Sequence, residues 1–230
     1  MDGQTNDIIR VENLVRVFKT LGGEVRACNN ISLTIPERQL TILRGRSGSG
    51  KTTLINMLGT LDRPTSGTIL FDGDDITKMS DNRRDQIRRT KIGFVFQSVA
   101  LMSNMTALEN IEFGLRIAGF PAKERKERAK EVLNMVGLTK RMNHMPAEMS
   151  GGEQQRVAIA RAVAHHPRVV FADEPTAALD TAMGLQIIKA FRDLVDAGET
   201  TIVMTTHDPS LMDIAERVYT LQDGELSDEY

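Results

Sequence analysis

The sequence predicts an α/β fold built around parallel strands, and three observations carry that expectation. Leu40, Thr41, Ile42 and Leu43 form a compact apolar run that meets a glycine-rich turn and then a helical stretch. Strand, turn and helix in that order make half of a parallel α/β unit. The pattern returns in the second half, where Val169, Val170, Phe171 and Ala172 read as a buried strand followed by a helix over residues 181–197. Between them, residues 98–149 are helical in pattern and rich in methionine, which reads as a helical insertion. A chain of 230 residues is long enough to bury a real core.

The remaining elements follow from periodicity and punctuation. Ile8, Val11, Leu14, Val15, Val17 and Phe18, then Ile31, Leu33 and Ile35, flank Gly22 and Gly23 and suggest short antiparallel strands. A helix is expected over 52–61. Another is expected where Ala129, Val132, Leu133 and Val136 recur between Pro121 and Gly137. An alanine-rich helix spans 156–163 before Pro167. In the helix at 181–197, Ile187, Ile188, Phe191, Leu194 and Val195 share a face that Gly198 closes. Strands at 201–204 and 217–221 precede a turn at Asp223 and Gly224. The expected organisation is one domain over 1–230. Its α/β core takes 1–97 and 150–230, with an N-terminal antiparallel part, and its helical subdomain takes 98–149.

Composition narrows the function classes. Lys and Arg number 29 against 31 Asp and Glu, a net charge of -2, so no overall basic field favours a nucleic acid. Two stretches are locally basic, 81–91 with five bases against two acids and 123–131 with five against three. They lack interleaved aromatics and read as mixed-charge solvated helices. The first could also meet a membrane protein or anionic headgroups. A single cysteine, Cys28, excludes a disulfide framework and a cysteine zinc site. His144, His165 and His166 have no metal-ligand spacing. Met1 to Arg10 is polar without a signal pattern, and no apolar run approaches the ~20 residues of a membrane helix. A soluble cytoplasmic protein is expected.

The strongest local signal is Gly45, Arg46, Ser47, Gly48, Ser49, Gly50, Lys51 and Thr52, a G-x-x-x-x-G-K-[ST] phosphate loop between a strand and a helix. Its glycines let successive N–H groups turn inward toward phosphate oxygens, and the helix start adds its positive dipole end. Lys51 suits the β- and γ-phosphates, and the Thr52 hydroxyl suits Mg²⁺. Such a loop needs a carboxylate from a neighbouring strand, and Asp173 follows four apolar residues. Glu174 comes next and can orient or deprotonate an attacking water. No N-K-x-D motif for reading guanine occurs, so adenine is the expected base.

A second glycine turn, Ser150, Gly151, Gly152, Glu153 and Gln154, opens the alanine-rich helix and makes another anion site. These residues closely resemble the signature motif of ATP-binding cassette (ABC) ATPases, and the resemblance spans nearly the whole chain. Gln97, after residues 92–96, resembles the family's Q-loop glutamine. Ala178, Leu179 and Asp180 resemble its D-loop, and His207 its switch histidine. Phe18 stands where the family carries an aromatic ring stacked on adenine, with a core phenylalanine as the other reading. Met149 replaces the usual Leu, and Glu153 the usual Gln.

The resemblance implies a P-loop NTPase fold with a RecA-like core, an antiparallel β subdomain and a helical subdomain. It implies ATP hydrolysis through Glu174, His207, Lys51 and Gln97, with Mg²⁺ held by Thr52, Gln97 and Asp173. ATP would be contacted by Phe18, by Gly45 through Thr53, and by Ser150, Gly151, Gly152, Glu153 and Asp180. Two copies would close head to tail around ATP, bound to a membrane permease on the cytoplasmic face, with no nucleic acid involved. Residues 59–67 and 106–110 are similar to ATPases of macrolide efflux, lipoprotein release, antimicrobial-peptide resistance and the cell-division FtsE–FtsX systems. In that last kind the ATPase transmits motion or a signal and moves no substrate, which is the alternative function. Met102 and Met105 suit a groove for the permease.

Overall fold

Alternating apolar and polar residues make β1 (Asp7–Thr20) and β2 (Gly23–Pro36) antiparallel partners. Each runs 14 residues, longer than the short strands expected. Leu21 and Gly22 alone form the turn, so pairing continues out to Thr20 and Gly23. The computed structural model describes residues 6–229, so the expectation about Met1 to Arg10 falls partly outside the described residues.

In chain order there follow β3 (Leu40–Arg44), α1 (Lys51–Leu58), β4 (Ser66–Phe71), β5 (Asp74–Asp75), α2 (Asp81–Thr90) and β6 (Ile92–Val95). Then come α3 (Ala107–Ile117), α4 (Arg125–Met135), α5 (Gly151–Val163), β7 (Val169–Asp173), α6 (Thr181–Asp196), β8 (Thr201–Thr205), β9 (Arg217–Gln222) and β10 (Glu225–Glu229). The hairpin strand β10 was not expected, since its polar residues carry no alternating pattern. Asp223 and Gly224, both at positive φ, turn the chain into it.

The chain packs as two units, residues 1–88 with 201–230, and residues 89–200. In the first, β2-β1-β4-β5 pair antiparallel, while β9, β3 and β8 lie adjacent and parallel with β10 antiparallel on β9. β3 and β8 are buried nearly throughout, as strands covered on both faces must be. Tyr219 on β9 donates its hydroxyl to the Thr34 carbonyl at 2.6 Å, tying β9 to β2.

The helix α2 departs from the expected solvated face. Arg84 is only 4% exposed, and its guanidinium donates to the Thr60 and Asp62 carbonyls at 2.8 and 2.5 Å. Arg88 also reaches the Thr60 carbonyl. α1 has no basic residue in its last turn, so arginines from α2 complement the negative end of its dipole instead. Burial pushes the Arg84 pKa down, helped by nearby Arg63 and Arg88.

In the second unit β6 pairs parallel with β7, and α3, α4 and α5 pack on one another. Gly93 lets α5 lie close on β6, since a Cβ there would fall 2.2 Å from the Ala162 carbonyl. The motif at 106–110 is a local fastening device. Thr106 and Glu109 form a reciprocal capping box at the start of α3. Asn110, buried, donates its amide to the carbonyls of Met102, Met105 and Thr106 and accepts from Met102 N. Among the described residues no helix is long and apolar enough to cross a membrane.

Candidate functional site

The phosphate loop takes its shape from close approaches that only glycine permits. Gly45 has φ 151°, and a Cβ there would lie 2.2 Å from the Leu221 carbonyl and 2.6 Å from Ser49 Oγ. Gly50, at φ 102°, would press a Cβ 2.3 Å from the Ala27 carbonyl on β2. Gly50 is the N-cap of α1, and it caps with no side chain. The first turn of α1 also holds no acid, so its positive dipole end is not neutralised locally.

Lys51 is nearly buried and bends back so that its Nζ donates to the Gly45 and Arg46 carbonyls at 2.8 and 2.9 Å. The ammonium therefore stands over the loop it follows. Ser49 Oγ is buried with no hydrogen-bond partner among the described residues. A buried hydroxyl without a partner is costly and marks a place for an additional acceptor or donor. A cleft of about 380 Å³ opens here, lined by residues 45–49 of the loop and 220–223 of the β9–β10 hairpin.

That hairpin was missed as part of the site. The Gly224 amide donates to the Ser49 carbonyl at 3.2 Å, and its carbonyl accepts from Asn29 N at 2.8 Å. The Asp-Gly pair was the available signal; its contact with the loop is a matter of tertiary packing.

Parallel register brings His207 to the same edge. Leu43 pairs with Thr205, so Gly45 and His207 each leave their strand two residues later at the same level. Thr206 donates its amide toward the Leu43 carbonyl, and its hydroxyl accepts from Asp208 N at 3.1 Å, which turns the chain around His207. Phe18 lies on β1 opposite Val25, two residues from Ala27. It is 37% exposed, which removes the core reading, and the Arg16 guanidinium stands 4.3 Å from its ring centroid. Cys28, paired with Arg16, lies buried beside Gly50; burial pushes its thiol up to about 12, so it is inert.

The second unit repeats the device. Val95 pairs with Ala172, so Gln97 and Glu174 leave their strands at one level, with Asp173 closing β7. Glu174 holds φ 46°, a left-handed conformation uncommon for a non-glycine residue and a form of strain that clusters at functional sites. Ser150 is the N-cap of α5; its hydroxyl accepts from Glu153 N while the Glu153 carboxylate accepts from Ser150 N at 2.8 Å. Arg141 pairs with Glu153 at 3.0 Å. The Ser150 amide and hydroxyl together with Arg141 hold the Glu153 carboxyl below its ordinary range. A Cβ at Gly152 would meet Leu179 at 3.2 Å, whereas Gly151 faces open space. Asp180 caps α6 by accepting from Met183 N at 3.0 Å.

The expected site residues thus fall into two groups. The loop at 45–53, Phe18 and His207 belong to the first unit, and Gln97, Ser150 to Glu153, Asp173, Glu174 and Asp180 to the second. Thr52 offers a hydroxyl oxygen in the first unit, and Asp173 and Gln97 offer carboxylate and amide oxygens in the second, all hard donors of the kind Mg²⁺ takes. Among the described residues no cluster of three or more His, Cys, Asp or Glu side chains could hold a metal by itself.

A buried strand, a glycine turn wrapped on its lysine and a helix with an uncapped start define a phosphate-loop nucleotide-binding protein. The family model described as "ABC transporter" matches residues 28–177, and the chain belongs to that family. An uncharacterized ABC transporter ATP-binding protein of Thermotoga maritima is 47% identical over 220 residues, covering 94% of both chains. YvrO of Bacillus subtilis, another uncharacterized ABC transporter ATP-binding protein, is 44% identical over 95% of each. The macrolide export ATP-binding/permease protein MacB of Syntrophobacter fumaroxidans is 40% identical over 97% of this chain, which spans 32% of that longer protein. Among solved structures, the ATP-binding cassette MJ0796, as a dimer in a post-hydrolysis state with ADP and Pi, superposes with a TM-score of 0.92. It is 39% identical, over 96% of this chain and 97% of that one. The fold is the ABC ATPase cassette, α/β with an antiparallel β part.

Proposed function

We propose that the chain binds and hydrolyses ATP as the energy-supplying subunit of an ABC transporter. Its partner would be a membrane permease of the macrolide-export and lipoprotein-release kind. The observation that carries the reading is the phosphate loop. Lys51 bridges the Gly45 and Arg46 carbonyls, and Ser49 Oγ is buried inside a glycine cradle without a partner among the described residues. The 0.92 TM-score to a cassette holding ADP and Pi supports the same chemistry, and the MacB relatives support the kind of permease.

In this reading the loop amides and Lys51 hold the triphosphate, and the ring of Phe18 takes the adenine. Thr52, Asp173 and Gln97 would hold Mg²⁺, which would supply neutralisation of phosphate charge. Glu174 orients the attacking water and takes its proton, and His207 donates to the γ-phosphate. Ser150, Gly151 and Gly152, with the helix start behind them and Asp180 beside them, close on the nucleotide of a second copy in a head-to-tail homodimer. Gly151 faces open space, so a phosphate can approach its backbone. The complex would sit on the cytoplasmic face of the membrane, with the exposed thioether of Met102 and that of Met105 toward the permease.

Glu174→Gln tests this directly. It should keep ATP binding, lower turnover by at least about 100-fold and accumulate an ATP-bound dimer on size-exclusion chromatography. Turnover at the wild-type rate would remove Glu174 from the chemistry.

A further inference from the structure

We propose that Arg16 is a positioning residue for the nucleotide base: anchored by Asp62, its guanidinium covers one face of Phe18 and leaves the other as the platform for a purine. The inference rests on the reading of Phe18 as the base platform, and it names the group that holds that ring in place.

Arg16 and Phe18 are two residues apart on β1 and so share a side of the strand. The guanidinium carbon lies 4.3 Å from the ring centroid, well inside cation–π range. Its Nε and Nη2 donate in a fork to Asp62 Oδ2 and Oδ1 at 2.8 and 2.9 Å. A two-point pair fixes the plane of the guanidinium as well as its place.

Phe18 stands at an exposed position on β1. Its partner across the ladder, Val25, is exposed, and the ring is not set among core side chains. A phenyl ring on an exposed strand samples several rotamers unless something flat lies against it. The Arg16 plane supplies that surface. It also draws π-electron density toward itself, which leaves the opposite face less negative and better suited to stack on an electron-rich purine. Asp62 lies just beyond the end of α1, and Arg16 pairs across β1–β2 with Cys28, whose Sγ reaches the Gly50 carbonyl. The brace thus ties the ring to the segment that follows the phosphate-loop helix, so base platform and phosphate cradle keep a fixed spacing. A lysine could supply charge at this position but neither the fork nor the flat face.

The test measures binding of ATP and of inorganic tripolyphosphate, which carries no base, by calorimetry on the full chain, together with steady-state hydrolysis. Arg16→Ala should raise the Kd and KM for ATP about five-fold, keep kcat at saturating ATP within about two-fold, and leave tripolyphosphate affinity unchanged. In a Phe18→Ala background the same change should have no further effect on ATP. Asp62→Asn keeps the volume and loosens the fork, and should weaken ATP binding by about two-fold, which provides a second route if Arg16→Ala folds poorly.

Equal losses for ATP and tripolyphosphate would overturn the proposal, because Arg16 would then shape the loop and not the base platform. An undiminished Arg16→Ala penalty in the Phe18→Ala background would overturn it too. Unchanged ATP affinity in Arg16→Ala, with a wild type that binds ATP, refutes the brace and leaves the cassette reading standing. A wild type that binds neither ligand refutes that reading, and the brace with it.

Discussion

Two glycines of the phosphate loop provide a controlled comparison between backbone strain and close approach. Gly48 and Gly50 both hold positive φ, 81° and 102°. A Cβ at Gly48 would meet nothing within 4 Å, whereas one at Gly50 would lie 2.3 Å from the Ala27 carbonyl. Changing either to alanine costs about 1–2 kcal/mol in backbone strain. The loss of unfolded-chain entropy returns about 0.4–1 kcal/mol. Gly48→Ala should therefore destabilise by about 1 kcal/mol or less.

Gly50→Ala must in addition open a contact by nearly 1 Å against a main-chain oxygen that cannot rotate away. Ala27 sits in β2 between Arg26 and Cys28, both paired to β1, and its carbonyl is already hemmed in by Gly224. Overpacking of that kind adds about 1–3 kcal/mol, for a total near 3 kcal/mol. At this chain length 1 kcal/mol moves Tm by about 2–4 °C. The two variants should therefore differ by about 4–8 °C in calorimetric melting without nucleotide, Gly50→Ala melting lower. Coincident midpoints would refute the close-approach argument.

Two further perturbations probe the scaffold. Arg84→Met keeps the apolar stem but removes the donors to the Thr60 and Asp62 carbonyls, and should lower stability by about 2 kcal/mol in denaturant titration. The pH prediction concerns Glu153. Its folded-state pKa is lowered from 4.5, first by the hydrogen bond from the Ser150 amide. The contribution is thus fully present above pH 4.5 and is lost as pH falls through the depressed value. Glu153→Gln should flatten the acid limb of the stability profile below pH 4.5, and an unchanged limb would contradict the capping box as its source.

What could be read in advance followed the range of the signal. The phosphate loop and the signature turn are each contiguous in sequence; the first stands between a strand and a helix, and the second opens a helix, that their own residues announce. Helix ends were legible too: Gly198 at φ 71° and Gly137 at φ 70° close α6 and α4 where a left-handed residue was expected. The charged face of α2 misled, because an arginine pattern does not tell a solvated guanidinium from one capping another helix. β10 escaped notice because its pairing, and not its own residues, makes it a strand.

The sequence alone therefore determined the chemistry on offer: a glycine cradle with its lysine, a strand ending in two carboxylates, and a serine-led helix start. Tertiary structure decided which groups face one another. It put Leu221 and Gly224 against the loop, set His207 level with Gly45 through parallel register, and laid Arg16 over an exposed Phe18. The reason is physical. Residue type and spacing dictate local dihedrals and dipoles, while the meeting of residues far apart in the chain depends on how buried strands align, which no short window of sequence contains.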